Sequence, residues 1–328
     1  MISNFSRREF LAGLGAVGAR VLVQTGNRRP QRIIDVHHHV MPPFYVREHR
    51  RDQLRVGPGI TTIFEWTPQV SIDRMDKAGV ATSILSISTP GTWFGQVEEG
   101  RRLMRAVNEY SAQMAKDHPG RFGVFAALNL PDVDGSLKEI EYAFDTLKAN
   151  GAGIMTSYSS LPVGSKEFDP VFAELNRRKA VVFMHRTVPS CCLELRGLPG
   201  DKEFIIDDMR ALNSLLANGT LMRYPDIRLI HAHGDKTIPY MAGNGQGPNA
   251  ALLKKIYVDT AGNTQDTMDD LRELGMLNGQ VMFGTDNPYG GEDAVGANLT
   301  RLMSFKLSQA ELDAIGRSNA AKLFPTFA

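Results

Sequence analysis

From Arg32 onward, short apolar runs rich in β-branched residues alternate with segments whose apolar positions recur every three or four residues. Eight runs read as strands: Ile33–Val40, Val80–Ser88, Phe122–Leu128, Gly153–Ser157, Ala180–His185, Ile227–His233, Ile256–Thr260 and Val281–Asp286. Helical spacing covers Ser71–Ala78, Arg101–Lys116, Gly135–Ala149, Pro170–Arg178, Ile206–Arg223 and Thr267–Leu274, and returns in the tail, Leu299–Phe324. Gly79, His118-Pro119-Gly120, Asn150-Gly151 and Tyr224-Pro225-Asp226 supply the stops. The strands are apolar on both faces, as parallel strands covered by helices must be. Eight such units match a single (β/α)8 barrel better than an open sheet. No Gly-x-Gly-x-x-Gly follows the first strand and no Gly-Lys-Ser/Thr loop appears, so a nucleotide site is unsupported, and no composition shift or repeat divides the barrel, residues 32–328.

Against this apolar background, polar side chains collect at the C-terminal ends of strands, the end where barrels place their chemistry. His37 and His39 close the first run, His185 the fifth, His231 and His233 the sixth, and Asp286 the eighth. Strand alternation turns His37 and His39 to one side and His38 to the other, toward the helical layer. One barrel mouth thus gathers imidazoles and a carboxylate, donors suited to a divalent ion. His231 lies a layer deeper than His233 and reads as a packed or supporting residue. Asp259 either orients a ligand histidine or caps the following loop. His49 and His118 read as surface loop residues, Trp66 and Trp93 as rim packing, and the helical methionines as core filler.

Charge narrows the partners. Lys+Arg 37 against Asp+Glu 36 leaves a net +1, without the basic excess of a nucleic-acid or membrane-surface protein. No long apolar run after the N-terminus predicts a membrane span. Two adjacent cysteines, Cys191 and Cys192, rule out a disulfide framework and read as small apolar side chains. Residues 1–31 have the order of a twin-arginine export signal: Ser6-Arg7-Arg8-Glu9-Phe10-Leu11, a Gly/Ala-rich apolar stretch to Val23, then a polar segment. The expected destination is periplasmic or extracellular, with the twin-arginine machinery as partner; without a working signal the chain stays cytoplasmic.

Asp35-Val36-His37-His38-His39, His185, His233-Gly234 and Gly284-Thr285-Asp286 resemble the motifs of the amidohydrolase superfamily. Glu65-Trp66-Thr67-Pro68, Pro119-Gly120-Arg121-Phe122-Gly123, Leu175-Asn176-Arg177-Arg178-Lys179 and Tyr257-Val258-Asp259-Thr260 extend the likeness to its decarboxylase branch, and within it to the 6-methylsalicylate decarboxylases. The resemblance spans Arg32 to Pro325. It implies one divalent ion held by His37, His39, His185 and Asp286, with His233 as an acid/base beside it. Two-metal members need a lysine on the fourth strand, and Gly153-Ile154-Met155-Thr156-Ser157 has none. Zn2+ suits the donors, and Mn2+ is compatible. Relatives of this kind are commonly dimers, so a homodimer is expected.

The implied activity is non-oxidative loss of CO2 from a small aromatic or unsaturated acid, with His233 or Asp286 handling the proton. The same ligands also suit a hydrolase that activates water toward an ester, lactone or amide. A third reading is a metal-binding protein without turnover, although every ligand is retained. Two departures bear on the substrate. Asp235-Lys236 replaces the glycines that usually follow the sixth-strand histidine, and Arg186 stands where proline is frequent. Arg186 and Lys236 are therefore candidates to pair with an anionic substrate.

Overall fold

In the computed structural model, residues 29–56, 61–187, 202–234, 236–243 and 245–328 are described. Most of the export segment, Cys191, Cys192 and Asp235 lie outside them. Eight parallel strands follow one another in the sheet in chain order: β1 (Ile33–Val40), β2 (Val80–Ile87), β3 (Phe122–Ala127), β4 (Gly151–Met155), β5 (Val181–His185), β6 (Arg228–His231), β7 (Tyr257–Asp259) and β8 (Val281–Met282). The seam between first and last strands is bridged by Val36 N–H to Phe283 O (2.9 Å), His39 N–H to Asn287 O (2.7 Å) and Asp286 N–H to His37 O (2.8 Å). These bonds bring the sheet edges together as a (β/α)8 barrel.

The principal crossover helices are α1 (Pro68–Ala78), α2 (Val97–Asp117), α3 (Val133–Asp145), α4 (Asp169–Arg177), α5 (Lys202–Ala217), α6 (Gln265–Glu273) and α7 (Ala294–Ser304). Local chemistry sets their ends. Thr67 accepts from Val70 N–H before α1, and Gly79, at φ 66°, ends it with a left-handed cap that a side chain would resist. Between β6 and β7 the crossover shrinks to two short helices, Thr237–Met241 and Ala250–Leu253. None of the helices in the described residues is long and apolar enough to cross a membrane.

Two apolar layers result. One fills the space between strands and helices; the other lies inside the barrel, with Ile34, Val36, Ile84, Phe125, Phe183 and Ile230 among its members. Phe324 from the C-terminal helix Asn319–Leu323 and its continuation packs edge-on to Phe125 (5.7 Å), which stacks on Phe183 (5.0 Å). Phe183 meets the His37 ring at 5.1 Å. An unbroken aromatic column therefore runs from this C-terminal plug to His37 and keeps water out beneath it.

The strand centres follow the sequence pattern, but several ends do not. The sixth and eighth strands stop at His231 and Met282, short of His233 and Asp286, and both of those residues adopt left-handed backbone, φ 54° and 58°. The segment read as one helix over Ile206–Arg223 breaks at Gly219 (φ 68°), and the tail becomes several short helices, one restarted by a Ser308/Glu311 capping box. Short helices Pro43–Glu48 and Arg50–Val56, and the hairpin Ser157–Tyr158 with Leu161–Pro162, lacked a periodicity long enough to predict.

Candidate metal centre

A bulge in β1 creates the centre. Between Asp35 and His38, β1 advances three residues while β2 advances two, from Ser83 to Leu85. The extra residue changes the alternation: Ile34 and Val36 face the barrel interior, and so do His37 and His39 after the bulge. His38 turns outward. Its Nδ1–H donates to Asp35 Oδ2 (3.0 Å), and its Nε2 lies 2.9 Å from both Ser71 Oγ of α1 and Asn287 Nδ2. The ring thus joins strand, helix and the loop after β8, consistent with its outward reading.

Asp35 is the hub of this end. Its carboxylate accepts from His37 N–H (3.0 Å), Thr285 N–H (3.1 Å) and Thr285 Oγ1–H (2.7 Å). It therefore fixes the position of Thr285, and with it Asp286, relative to the two β1 histidines. A buried carboxylate is tolerated because several donors compensate its desolvation.

His37, His39, His185 and Asp286 each offer a ligand atom, all within 4.8 Å of one another. His37 Nε2 is 3.1 Å from His39 Nε2 and 3.2 Å from Asp286 Oδ1; His39 and His185 Nε2 lie 2.8 and 4.0 Å from the same oxygen. Tetrahedral Zn2+ at ~2.05 Å would separate its ligands by about 3.3 Å, so these distances straddle what a small ion needs. Asp259 Oδ2 accepts from His37 Nδ1–H (3.0 Å), and the Ser86 carbonyl accepts from His39 Nδ1–H (3.3 Å). Each contact fixes its ring with Nε2 toward the cluster. His185 is buried with no hydrogen-bond partner for either ring nitrogen among the described residues, as a ligand awaiting its ion would be. The residues fit a divalent metal.

Electrostatics agree with that donor set. Burial, then the neighbouring His39 and His37, hold His185 well below the ordinary imidazole range. Burial and the Arg186 cation do the same to His233. Burial also keeps His39 low, against its bond to Asp286. At His37 burial opposes charge, but Asp259 and Asp286 outweigh it and raise the pKa to about 10. Burial would neutralise Asp286, yet His37 and His233 hold its carboxyl well below the usual range. The carboxylate and the neutral rings at His39 and His185 are in the forms that coordinate.

Beside the cluster, His233 Nε2 lies 3.8 Å from Asp286 Oδ2, and its backbone N–H reaches Asp259 Oδ2 at 3.2 Å. Both His233 and Asp286 adopt left-handed backbone, φ 54° and 58°, which is uncommon for residues other than glycine. Asp259 performs both roles considered for it: it orients His37 and accepts from Ala261 N–H (2.9 Å) at the start of the next loop.

The two anion-binding candidates separate. Arg186 is mostly covered, 12% exposed, and pairs with Asp208 at 2.8 Å. Lys236 is not brought to the cluster: its ammonium points to Asp266 (3.8 Å) and Asp270 (3.9 Å) and is 58% exposed, because those α6 carboxylates attract it outward. Trp66 is buried and donates to Ser71 Oγ (2.8 Å), a packing role. His49, read as a surface residue, is mostly covered and stacks on Phe94 (4.2 Å). It forms a second acidic group with Glu48 and Glu99, but Arg102 occupies both carboxylates at 2.6 Å. Sequence reasoning missed Asp208 and Tyr289, whose ring meets His39 at 5.6 Å. Proximity to the Gly-Thr-Asp motif was the available signal for Tyr289; Asp208 offered none.

A (β/α)8 barrel that gathers three imidazoles and a carboxylate at its strand ends defines a barrel with a candidate divalent-metal centre, at His37, His39, His185 and Asp286. The amidohydrolase family model matches residues 34–326, and the chain belongs to that family. It is 33% identical over 324 residues to the decarboxylase yanB of Aspergillus niger, covering 90% of this chain and 88% of that protein. It is 32% identical over 313 residues to the 6-methylsalicylic acid decarboxylase of Penicillium expansum, covering 89% and 96%. A solved 5-carboxyvanillate decarboxylase of Novosphingobium aromaticivorans, with bound manganese, shares the fold at TM-score 0.77 and 18% identity, over 92% of this chain and 98% of that one.

Proposed function

We propose that this protein is a metal-dependent, non-oxidative decarboxylase of a small aromatic acid of the 6-methylsalicylate kind. The observation that carries the reading is whole-length likeness to two decarboxylases at 33% and 32% identity. It favours the lyase over water-activating hydrolysis, for which the same ligands would serve.

His37, His39, His185 and Asp286 would hold the ion. When bound, a divalent ion supplies Lewis acidity toward the substrate's anionic oxygens. Asp259 and Ser86 keep two of the imidazoles in the ligating tautomer, and the aromatic column below excludes water. Decarboxylation requires a proton at the ring carbon bearing the carboxylate. The carbon–carbon bond then breaks, its electron pair returns to the ring, and CO2 leaves. His233 and Asp286, side by side at 3.8 Å, are the groups placed to take that proton from the substrate's own hydroxyl and pass it to the ring carbon. Arg186 supplies a cation for the substrate carboxylate.

The test is to incubate metal-loaded protein with 6-methylsalicylate and follow 3-methylphenol by chromatography, with Asp286→Ala alongside. Product from the wild type alone is expected. Full metal content without product would discard this activity and turn attention to lactones and esters. The nitrogen-rich donor set favours Zn2+, with Mn2+ as the alternative; metal analysis and re-addition of each ion to stripped protein separate them. Export by the twin-arginine route is proposed on Arg7-Arg8 and the apolar stretch that follows. Lysine at both positions should retain the protein in the cytoplasm, and unchanged export would overturn that reading.

A further inference from the structure

A second set of buried charges adjoins the metal ligands. Arg186 directly follows ligand His185, and its Nη2 lies 2.8 Å from Asp208 Oδ2. Oδ1 of the same carboxylate is 3.4 Å from His231 Nε2. Asp208, on α5, is 1% exposed and Arg186 only 12%. A carboxylate this deep is unfavourable without a cation to meet it. Here one helix carboxylate spans the residue after β5 and the last residue of β6, the strands that lead to His185 and His233.

The helix that carries Asp208 is itself fastened. The adjacent Asp207 accepts from Thr156 Oγ1–H (2.6 Å), Ser157 Oγ–H (2.9 Å) and Arg210 Nη1–H (2.7 Å), tying α5 to the end of β4. Asp208 is thus presented from a fixed support. Its partner Arg186 follows ligand His185 in the chain, and after burial its charge does most to hold the His233 pKa down. A long arginine side chain recognises an anion well only when little rotamer freedom remains to be lost on binding.

We propose that Asp208 is the positioning residue of a substrate-anion subsite: it holds the Arg186 guanidinium beside the metal ligands, so that an aromatic carboxylate meets a cation already in place. This rests on the carboxylate-substrate reading above. Asp208 acts through Arg186 and does not itself touch the substrate.

The test is calorimetric binding of two probes, 6-methylsalicylate and the neutral 3-methylphenol, to metal-loaded full-length protein in a His233→Ala background that stops turnover of the acid, otherwise wild type or carrying Asp208→Asn, Arg186→Gln or both. The background protein should prefer the acid. Each single variant should lower that preference roughly 10- to 100-fold, the range for losing a charge-assisted contact. Metal content and phenol affinity should stay unchanged, and the double variant should lose no more than Arg186→Gln alone. Equal weakening of both probes, an additive double loss, or no preference in the background protein would overturn the proposal. If Asp208→Asn alone does not fold, the double variant, with both charges removed, still decides by comparison with Arg186→Gln. Preferential binding of the acid by the background protein, with no CO2 released by the wild type, would refute the decarboxylase reading while leaving this subsite standing.

Discussion

Asp259 provides the most exacting test of how the centre is built. Its buried carboxylate accepts from His37 Nδ1–H (3.0 Å) and His233 N–H (3.2 Å) at one oxygen, and from Ala261 N–H (2.9 Å) at the other. Asparagine keeps the shape but replaces one acceptor with a donor. With its amide oxygen toward His37 and His233, its NH2 group faces the Ala261 N–H; the opposite orientation faces the histidine donors. Removing the carboxylate that orients a ligand histidine typically weakens metal binding 10- to 100-fold, about 1.4–2.7 kcal/mol. Alanine orphans all three donors and should destabilise the fold by at least about 3 kcal/mol. Metal affinity measured against a competing chelator, with thermal melts of the stripped proteins, checks both numbers. Asp259→Asn binding metal as tightly as the wild type would refute the claim that Asp259 sets the ligating form of His37.

His233→Ala should keep its metal and lose turnover roughly 10²- to 10⁴-fold, the range for general acid–base groups; unchanged kcat at full metal content would remove His233 from proton transfer. Metal-free protein should be most stable near neutral pH. His37, raised from 6.5 to about 10, contributes stability present in full below 6.5 and lost as pH rises through about 10. His185 and His233, held well below 6.5, remain neutral when folded, so stability falls as acid protonates the unfolded chain below 6.5. Thermal melts of stripped protein from pH 5 to 10 check this, and a flat profile contradicts it. Gly284→Ala would set a Cβ 2.7 Å from both Cβ and Oδ1 of Asp259. It should lower both melting temperature and metal affinity; wild-type values for both would show that Asp259 can move freely.

Much of the architecture was legible because its signals are local. Runs apolar on both faces, three-to-four spacing between them and Gly/Pro stops need only neighbouring residues to be read. Two strand ends were less legible. At His233 and Asp286 the backbone leaves the strand for left-handed geometry, which residue types that normally avoid it do not announce. Lys236 illustrates the opposite error: a charge near a catalytic motif in sequence, drawn away by Asp266 and Asp270 on another helix.

The sequence by itself determined the eight strand units, the end of the barrel where polar side chains collect, and the residue types available there. A strand's alternation and a ligand's chemistry are properties of short segments. Tertiary structure decided which partner each group met: His37 with Asp259, 222 residues away, and Asp35 with Thr285, 250 residues away. It also decided that a bulge would turn His37 inward and that Asp208 would meet both Arg186 and His231. These pairings set charge and tautomer, and they exist only once barrel closure places distant carboxylates where water can no longer compete for them.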